Sequence, residues 1–401
     1  MHSLMKTLSI VLPAYNEEES IRDVLEQTIA AKEALKNLAG LKDVEILVVD
    51  DGSRDRTLDI AKEYSDKNLI HLVRHEKNRG YGAALKTGFE NASGDLLSFF
   101  DADGTCNPLA LQNLLQKMKE TDADLVIGAR LHAGSKMPLT RKIGNVFYRR
   151  LLNAIARSNI TDIASGMRIF KKECLQHLYP LPDGLHFTPA MSVRAILDRN
   201  IRIEEVPIPY AERAGRSKLS VIKDGLRFLK IILEIAFTYK PLRLFGVMGG
   251  FLLLVAILYG ISPLVHYLQH RNVPEDRIYR LIFVIVAAVS GFQLISVGVI
   301  TQNVTNLIHG YEMETMTKRL LDRTFLNRLA YMGSFFLILA ILLNWNVIVQ
   351  YVTTRHIYIH WSYVVTGGLF VLLGVQFLAF SIINRIITVL KEQKVNRKNP
   401  S

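Results

Sequence analysis

The stretch LLSFFDADGT, Leu96–Thr105, sets an apolar run directly against two carboxylates, Asp101 and Asp103. A short apolar run of this kind is typical of a buried strand. Carboxylates at the end of such a strand are costly unless a cation or hydrogen-bond donors lie against them. Hard carboxylate oxygens suit Mg²⁺ or Mn²⁺, and Mg²⁺ typically binds through one or two carboxylates together with the phosphates of a substrate. The stretch therefore predicts a strand that ends at a divalent-ion site.

Further apolar runs alternate with helical patterns on both sides of this stretch. The predicted strands are Leu8–Leu12, Val44–Asp50, Ile70–Val73, Leu96–Asp101 and Asp124–Ala129. The predicted helices lie near Ser20–Lys36, Arg56–Ser65, Ala83–Ala92 and Pro108–Thr121. This alternation predicts right-handed βαβ units and an α/β fold with a mainly parallel sheet.

The segments that follow the first four strands are all polar. They read PAYNEEE, DDGSRDRT, RHEKNRGYG and DADGT. Ligands of such sheets bind outside the carboxyl ends of the strands. One acidic strand end often serves only to cap a helix, but two that converge on one crevice repel each other unless a cation or donors intervene. We therefore expect one ligand site at this edge of the sheet.

The C-terminal part carries four apolar runs long enough to cross about 30 Å of hydrocarbon. They are Leu244–Tyr267, Leu281–Thr301, Leu329–Val349 and Trp361–Ile387, and none contains Asp, Glu or Lys. A single run of this kind would be compatible with a buried helix of a soluble core, whereas four in series indicate transmembrane helices. No internal repeat is evident among them.

Charge and cysteine usage bear on the orientation in the membrane and on the kinds of partner and metal site to expect. Basic residues in the segment between the second and third runs and in the tail place the N-terminal part and the tail in the cytoplasm. The net charge of +12 lies largely beside the membrane, where anionic lipid attracts basic residues, so no nucleic-acid partner is expected. The two cysteines have no metal-binding spacing. A narrow polar stripe over residues 219–240 predicts an interfacial amphipathic helix, although a helix packed on the soluble part fits the same pattern.

Five motifs taken together resemble a known family. LPAYNEEESI, VVDDGSRDRT, NRGYGAALKTG, FFDADGT and ASGMRIFKK, in this order and spacing, resemble family 2 glycosyltransferases of the GT-A fold. More narrowly, they resemble polyprenyl-phosphate sugar synthases of the dolichol-phosphate mannose synthase type. The resemblance implies a Rossmann-like GT-A domain over residues 1–218, followed by the interfacial helix over 219–240 and a four-span domain over 241–401.

The resemblance also implies roles for individual residues. It places a donor nucleotide site at Pro13, Tyr15, Glu17, Asp50, Asp51, Asp101, Ala102 and Asp103. It places an acceptor phosphate site at Arg130, Arg141, Asn145, Ser165, Arg213 and Lys218. The implied catalytic residues are Asp101, Asp103, Arg130 and Arg213, and the implied ligands of Mg²⁺ or Mn²⁺ are Asp103 and Asp101.

Three positions depart from the family pattern. Thr105 stands where some relatives have a glutamine metal ligand, so ligation at Thr105 stays open. Ala164 replaces the usual threonine of the D-x-T-S-G element, and Asn145 stands where a serine is frequent. These departures bear on the metal site and the acceptor site.

The activity implied by the resemblance is an inverting, metal-dependent transfer of a hexose, with mannose or glucose favoured. The donor would be a GDP- or UDP-linked sugar and the acceptor a polyprenyl or dolichyl phosphate in the membrane, with homo-oligomerisation open. Alternatives are transfer to a lipid hydroxyl or to a growing polysaccharide, and a non-enzymatic flippase regulated by a nucleotide sugar. The Q-x-x-R-W element of processive synthases is absent from the sequence.

Overall fold

A seven-stranded sheet organises the first of two compact units, Met1–Ala236. Its strands are β1 (Thr7–Ala14), β2 (Asp43–Asp50), β3 (His71–Arg74), β4 (Leu96–Phe99), β5 (Leu125–Ala129), β6 (Arg168–Lys171) and β7 (Ile203–Pro207). They lie in the order β3-β2-β1-β4-β6-β5-β7. The computed structural model describes residues 6–130, 139–156, 160–209, 221–270, 278–309, 318–319 and 322–398.

The sheet is mainly parallel, as the sequence predicts. Parallel pairing joins β1 to both β2 and β4, β2 to β3, and β5 to β7. β6 is the exception, because it runs antiparallel to both β4 and β5. All five predicted strands are present within a few residues of their expected bounds, whereas β6 and β7 were not predicted.

Eight of the helices that the structure describes belong to or begin in this unit. They are α1 (Ile21–Ala39), α2 (Thr57–Ser65), α3 (Tyr81–Asn91), α4 (Leu111–Thr121), α5 (Leu139–Ala156), α6 (Leu175–Leu178), α7 (Phe187–Leu197) and α8 (Val221–Tyr239). A short 3₁₀ turn, Pro108–Ala110, precedes α4. Apolar residues of β1, β2, α1 and α4 contribute to the main core. Because β1 and β4 pair in parallel, their carboxyl ends lie side by side at one edge of the sheet.

The second unit, Phe237–Ser401, consists of long apolar helices. They are α9 (Pro241–His270), α10 (Ile278–His309), α11 (Arg323–Thr354) and α12 (Trp361–Lys398). Each is long and apolar enough to cross a membrane, and each contains one of the predicted spans. The chain is therefore a membrane protein. The interfacial location of α8 stays a prediction.

Candidate active site

The loops after β1 and β2 are joined by hydrogen bonds. The Asn16 N–H donates to Ser53 Oγ (3.0 Å), and the Arg54 N–H donates to Asn16 Oδ1 (2.8 Å). The Glu17 N–H donates to Thr57 Oγ1 (2.8 Å). These bonds hold the predicted nucleoside loop, which follows the buried Pro13, against the segment that follows Asp51. Tyr15 and Glu17 are partly exposed on it.

Asp51 and Asp50 are both buried, and their surroundings differ. The Asp51 carboxylate accepts hydrogen bonds from the N–H groups of Arg79 (2.9 Å) and Gly80 (2.8 Å) and lies 2.7 Å from His75 Nδ1. It therefore holds the loop after β3 in place. Within the described residues, the Asp50 carboxylate accepts only the distant Ser53 N–H, at 3.4 Å. Of the two predicted donor-site acids, Asp51 is the one engaged in supporting the fold.

The glycine-rich segment that opens α3 is occupied by protein rather than left open to an anion. The N–H groups of Gly82 and Ala83 donate to the Asp183 carbonyl, at 2.6 and 3.1 Å. Gly80 adopts a positive φ of 105°, and a Cβ there would lie 2.5 Å from the same carbonyl. The segment RGYG is thus built to pack against the chain at residues 182–184.

Asp101 lies just beyond β4, where two neighbours orient its carboxylate. Tyr81 donates its hydroxyl to Asp101 Oδ1 (2.7 Å). Burial and the Asp101 carboxylate hold the pKa of Tyr81 well above its ordinary value, so the hydroxyl stays protonated and remains a donor. On the other side, a Cβ at Gly166 would lie 2.6 Å from Asp101 Oδ2. Only glycine at position 166 leaves room for this carboxylate.

Asp103 is buried and contacts Thr105. Its Oδ1 accepts from the Thr105 N–H (3.1 Å) and hydroxyl (2.7 Å). Between the two aspartates, the buried Ala102 contributes its carbonyl, which accepts a hydrogen bond from Ser20 Oγ (2.8 Å). Thr105 therefore orients Asp103 through the same hydroxyl that the sequence left open as a metal ligand.

Arg130, at the end of β5, forms a bidentate ion pair with the fully buried Asp162. Arg130 Nε lies 2.8 Å from Asp162 Oδ2, and Arg130 Nη2 lies 3.0 Å from Asp162 Oδ1. The Arg130 N–H donates to the same carboxylate at 3.1 Å. Such forked pairs fix the plane of the guanidinium. Arg130 is therefore held rigidly, with only a small part of its side chain exposed.

The segment 162–166 is fixed from several directions. Ser165 is fully buried; its hydroxyl donates to the Gly128 carbonyl and accepts from the Met167 N–H. Ser192 donates to the Ile163 carbonyl (2.7 Å), and Glu205 accepts the Asp162 N–H (2.8 Å). The implied contact of Ser165 with an acceptor phosphate has no counterpart in this arrangement, because the hydroxyl is enclosed and bonded to backbone.

Arg168 lies beneath this segment and is fully buried. It donates from Nε to the Ser165 carbonyl (3.1 Å) and from Nη2 to the Ile163 carbonyl (3.0 Å). Burial lowers the pKa of Arg168 to about 10, which still leaves it charged at neutral pH. Among the described residues its Nη1 has no hydrogen-bond partner. The positive charge thus supports the turn that carries Asp162 and Gly166.

The thiol of Cys106 shows that three predicted site residues converge. Burial, together with the charges of Asp101 and Asp103 and against that of Arg130, raises the pKa of Cys106 to about 12. The segment 162–166 links two of these residues directly, because Asp162 pairs with Arg130 and Gly166 packs against the Asp101 carboxylate. The site thus groups two carboxylates and one fixed guanidinium at this edge of the sheet.

The residues present fit a hard divalent ion completed by a ligand. The described residues contain no group of three or more His, Cys, Asp and Glu side chains arranged to hold a metal by themselves. Asp101 and Asp103 instead follow β4 two residues apart, and Mg²⁺ or Mn²⁺ bound by one or two carboxylates takes its other ligands from phosphates and water. When bound, such an ion would neutralise charge on a diphosphate.

The structure leaves part of the predicted acceptor site undescribed. Arg213 and Lys218 lie outside the described residues, as do the side chains of Arg141 and Asn145 on α5. Three supporting residues, Tyr81, Arg168 and Glu205, were not singled out from the sequence. For Tyr81 and Arg168, the only signal was their presence within the quoted motifs NRGYGAALKTG and ASGMRIFKK.

Comparisons with known proteins find matches for both parts of the chain. The model of the family "Glycosyl transferase family 2" matches residues 9–179, and that of a domain of unknown function, DUF8752, matches residues 241–398. The low-salt glycan biosynthesis hexosyltransferase Agl6 of Haloferax volcanii is 32% identical over 63% of this chain and 58% of its own length. The chain thus spans less than two thirds of that relative.

A second relative is covered more completely. The UDP-N-acetylglucosamine–dolichyl-phosphate N-acetylglucosaminyltransferase of Methanococcus voltae is 30% identical over 51% of this chain and 85% of its own length. Among solved structures, glucosyl-3-phosphoglycerate synthase from Mycobacterium tuberculosis aligns with a TM-score of 0.48 and 21% identity, over 58% of this chain and 78% of that one. That structural overlap is too loose to bear on chemistry. The sequence relationship is sufficient by itself: the chain belongs to glycosyltransferase family 2.

Proposed function

We propose that this protein transfers a hexose from a GDP- or UDP-linked sugar to a polyprenyl phosphate in the membrane, with inversion at the anomeric carbon. The observation that carries the proposal is the convergence of Asp101, Asp103 and Arg130 near one thiol, in a chain that also has four long apolar helices. The Methanococcus voltae relative, whose name includes a UDP-sugar and a dolichyl phosphate, supports it.

The chemistry follows from charge. As the sugar–phosphate bond breaks, negative charge accumulates on the departing nucleoside diphosphate, and fixed positive groups stabilise that charge. Asp101 and Asp103 would hold Mg²⁺ or Mn²⁺ at the diphosphate. Arg130, whose plane Asp162 fixes, would present a guanidinium to phosphate oxygens. The donor nucleoside would lie against the loop that holds Pro13, Tyr15 and Glu17.

The acceptor requires cations rather than a base. A polyprenyl phosphate is already anionic at neutral pH, so it attacks without losing a proton, and a single direct displacement inverts the anomeric centre. Two anionic phosphates must then be brought together. Arg130 and the implied acceptor residues Arg141, Arg213 and Lys218 would supply positive charge for this purpose. We place this edge of the sheet on the cytoplasmic side of the membrane.

The test is a transfer assay with the purified full-length protein. A panel of GDP- and UDP-sugars is supplied with a polyprenyl phosphate, with Mg²⁺, with Mn²⁺ or with EDTA, and lipid products are identified by mass. We expect a metal-dependent product one hexose heavier than the polyprenyl phosphate. Transfer to a polyprenol but not to its phosphate, or nucleotide-sugar binding without any transfer, would contradict the proposal in favour of the alternatives.

Asp103→Asn tests the metal assignment in the same assay. The substitution keeps the shape of the side chain and removes its charge, so product formation should fall by orders of magnitude while thermal unfolding is little changed. Asp122→Asn, at an exposed carboxylate that only forms surface ion pairs, is the matched control and should retain activity. Undiminished turnover in the folded Asp103→Asn variant would refute the assignment.

A further inference from the structure

The membrane unit contains an internal duplication, which corrects the expectation that no internal repeat is present. Residues 248–258 read MGGFLLLVAIL and residues 332–342 read MGSFFLILAIL, with Met, Gly, Phe, Leu, Ala, Ile and Leu identical at equivalent positions 84 apart. In the following helices, 291–295 (GFQLI) matches 374–378 (GVQFL) at a spacing of 83. The first hairpin, α9–α10, thus corresponds to the second hairpin, α11–α12.

The packing inside the two hairpins repeats as well. A Cβ at Gly249 would lie 2.5 Å from the Gly291 carbonyl and 2.7 Å from Ile295. At the equivalent Gly333, it would lie 2.9 Å from the Gly374 carbonyl and 3.0 Å from Leu378. Glycine at such crossings lets helix backbones approach closely in a membrane. The agreement of residue with residue identifies the two hairpins as copies of one module.

The contact between the two hairpins joins different faces of the module. On α10 it uses Phe292, Val299 and Asn303, which we name the Phe292 face. On α12 it uses Phe377, Phe380 and Asn384, which we name the Phe377 face. The Phe292 and Phe377 ring centroids lie 4.7 Å apart, Val299 and Phe380 share a buried cluster, and Asn303 Nδ2 donates to Asn384 Oδ1 (2.7 Å). A contact between unlike faces is heterologous, so each module keeps a second face for another neighbour.

Neither second face is fully buried in the described chain. The counterpart of the Phe292 face on α12 is Val375, Ile382 and Ile386, which are 53%, 55% and 55% exposed. We name it the Val375 face. The counterpart of the Phe377 face on α10 is Leu294, Val297 and Thr301, which are partly exposed. We name it the Leu294 face. The chain therefore presents the positions equivalent to both halves of a contact that it already makes once, with a different residue at each of the six positions.

Gln293 is a polar residue beside the Leu294 face. It is exposed, near the middle of a 32-residue apolar helix, with no hydrogen bond among the described residues. Its counterpart Gln376, beside the Phe377 face, is partly covered, and its Oε1 is buried without a hydrogen-bond partner among the described residues. The module therefore already tolerates a partly covered amide at this position, and Gln293 does not oppose the docking of an apolar face.

We propose that the Val375 face of one chain docks on the Leu294 face of a second copy, continuing the packing already present between the two hairpins. By the spacing of 83, Ile382 of one copy would meet Val297 of the next, as Val299 meets Phe380 within the chain. The contact would be aliphatic except at Thr301 and would cover Gln293 as Gln376 is covered. It lacks a counterpart of the Asn303–Asn384 hydrogen bond, so it is weaker than the contact within the chain.

Cysteine cross-linking in native membranes tests the docking. Full-length chains carrying Val297→Cys or Ile382→Cys alone are compared with a co-expressed pair of the two, under mild oxidation. We expect a disulfide-linked dimer in the co-expressed pair, several-fold above the level in either single variant. The in-chain pair Val299→Cys/Phe380→Cys tests the helix packing, because its disulfide should form within one chain and give no dimer.

The matched control replaces Ile382→Cys with Ile257→Cys, a position on α9 that is 64% exposed and outside both faces. Cross-linking of Val297→Cys to Ile257→Cys at the same level would indicate random collision and overturn the proposal. Efficient cross-linking of Val297→Cys with itself would indicate a symmetric contact between like faces, which also overturns it. Absence of any cross-link above the control would mean that lipid covers both faces, and it would also overturn the proposal.

Discussion

The two units of this protein bury polar groups by different means. The first buries charges and pairs them: Asp162 with Arg130, Asp51 with backbone N–H groups, and Arg168 with carbonyls. The second, within its described helices, buries carboxamides and hydroxyls such as Asn303, Asn384 and Ser381, and relies on glycine for close contact. Charge pairing fixes the direction of a side chain, which a catalytic site requires. Glycine crossings fix only the separation of helices, which is sufficient for a membrane scaffold.

The largest effect on stability is expected from a substitution that breaks the charge pairing of the first unit. Arg130→Met leaves the Asp162 carboxylate buried without its cation, which typically costs about 3–5 kcal/mol. Arg22→Met, at the exposed pair with Glu63, is the control and should leave stability unchanged. Thermal unfolding in detergent measures both. Equal stability of the two variants would mean that the buried pair does not hold the first unit together.

The next largest effect is expected on turnover, when the Asp101 carboxylate loses the donor that orients it. Tyr81→Phe removes the hydroxyl donated to Asp101, and hydrogen bonds to charged groups contribute about 1.5–3 kcal/mol, or roughly tenfold to a hundredfold in rate. Stability should change less than turnover. Tyr148→Phe removes a hydroxyl bonded to the Gly225 carbonyl and is the control, expected to stay active. Equal turnover of both variants would show that Asp101 needs no orientation by Tyr81.

A smaller effect is expected in the second unit. Gly249→Ala places a methyl group 2.5 Å from the Gly291 carbonyl, and overpacking of this kind costs about 1–3 kcal/mol. Gly250→Ala is one residue away and meets nothing within 4 Å, so it should be neutral. Gly333→Ala, the counterpart in the second hairpin, should behave like Gly249→Ala. Different results for the two crossings, measured by denaturation in mixed micelles, would break their equivalence.

The smallest signal is the absence of a reaction. Burial raises the pKa values of Cys106 and Cys174 to about 12, so both thiols stay protonated until the pH approaches 12. In the folded protein at pH 7.5, iodoacetamide should label neither residue, whereas denatured protein should take two labels. Rapid labelling of Cys106 in the native state would show that the site opens in solution.

Much of the fold followed from apolar runs, because a buried strand or span must be apolar along its length. The runs placed β1 to β5 and all four long helices. β6 escaped because it is only four residues long and begins with Arg168, a charge that becomes buried through contacts with carbonyls. β7 carries Glu204 and Glu205, which do not suggest a strand.

The site was predictable where its residues stand in motifs and not where it depends on packing. Asp101, Asp103 and Arg130 do converge near Cys106. The contact of Tyr81 with Asp101 joins residues 20 apart on different elements, and no local pattern signals it. The enclosure of Ser165 likewise follows from the position of β5. The internal repeat is hard to recognise in the sequence because all four spans consist largely of the same few apolar residue types.

The glycines near the far ends of the two hairpins lie on opposite helices of equivalent crossings. Gly260 on α9 meets Val284 on α10, whereas at the equivalent places Asn344 on α11 meets Gly367 on α12. The small residue has changed sides while the crossing has been kept. After a duplication, each copy can drift only along paths on which one helix compensates the other. Replacing both residues of the pair 260–284 by those of the pair 344–367 should therefore be tolerated better than replacing either residue alone.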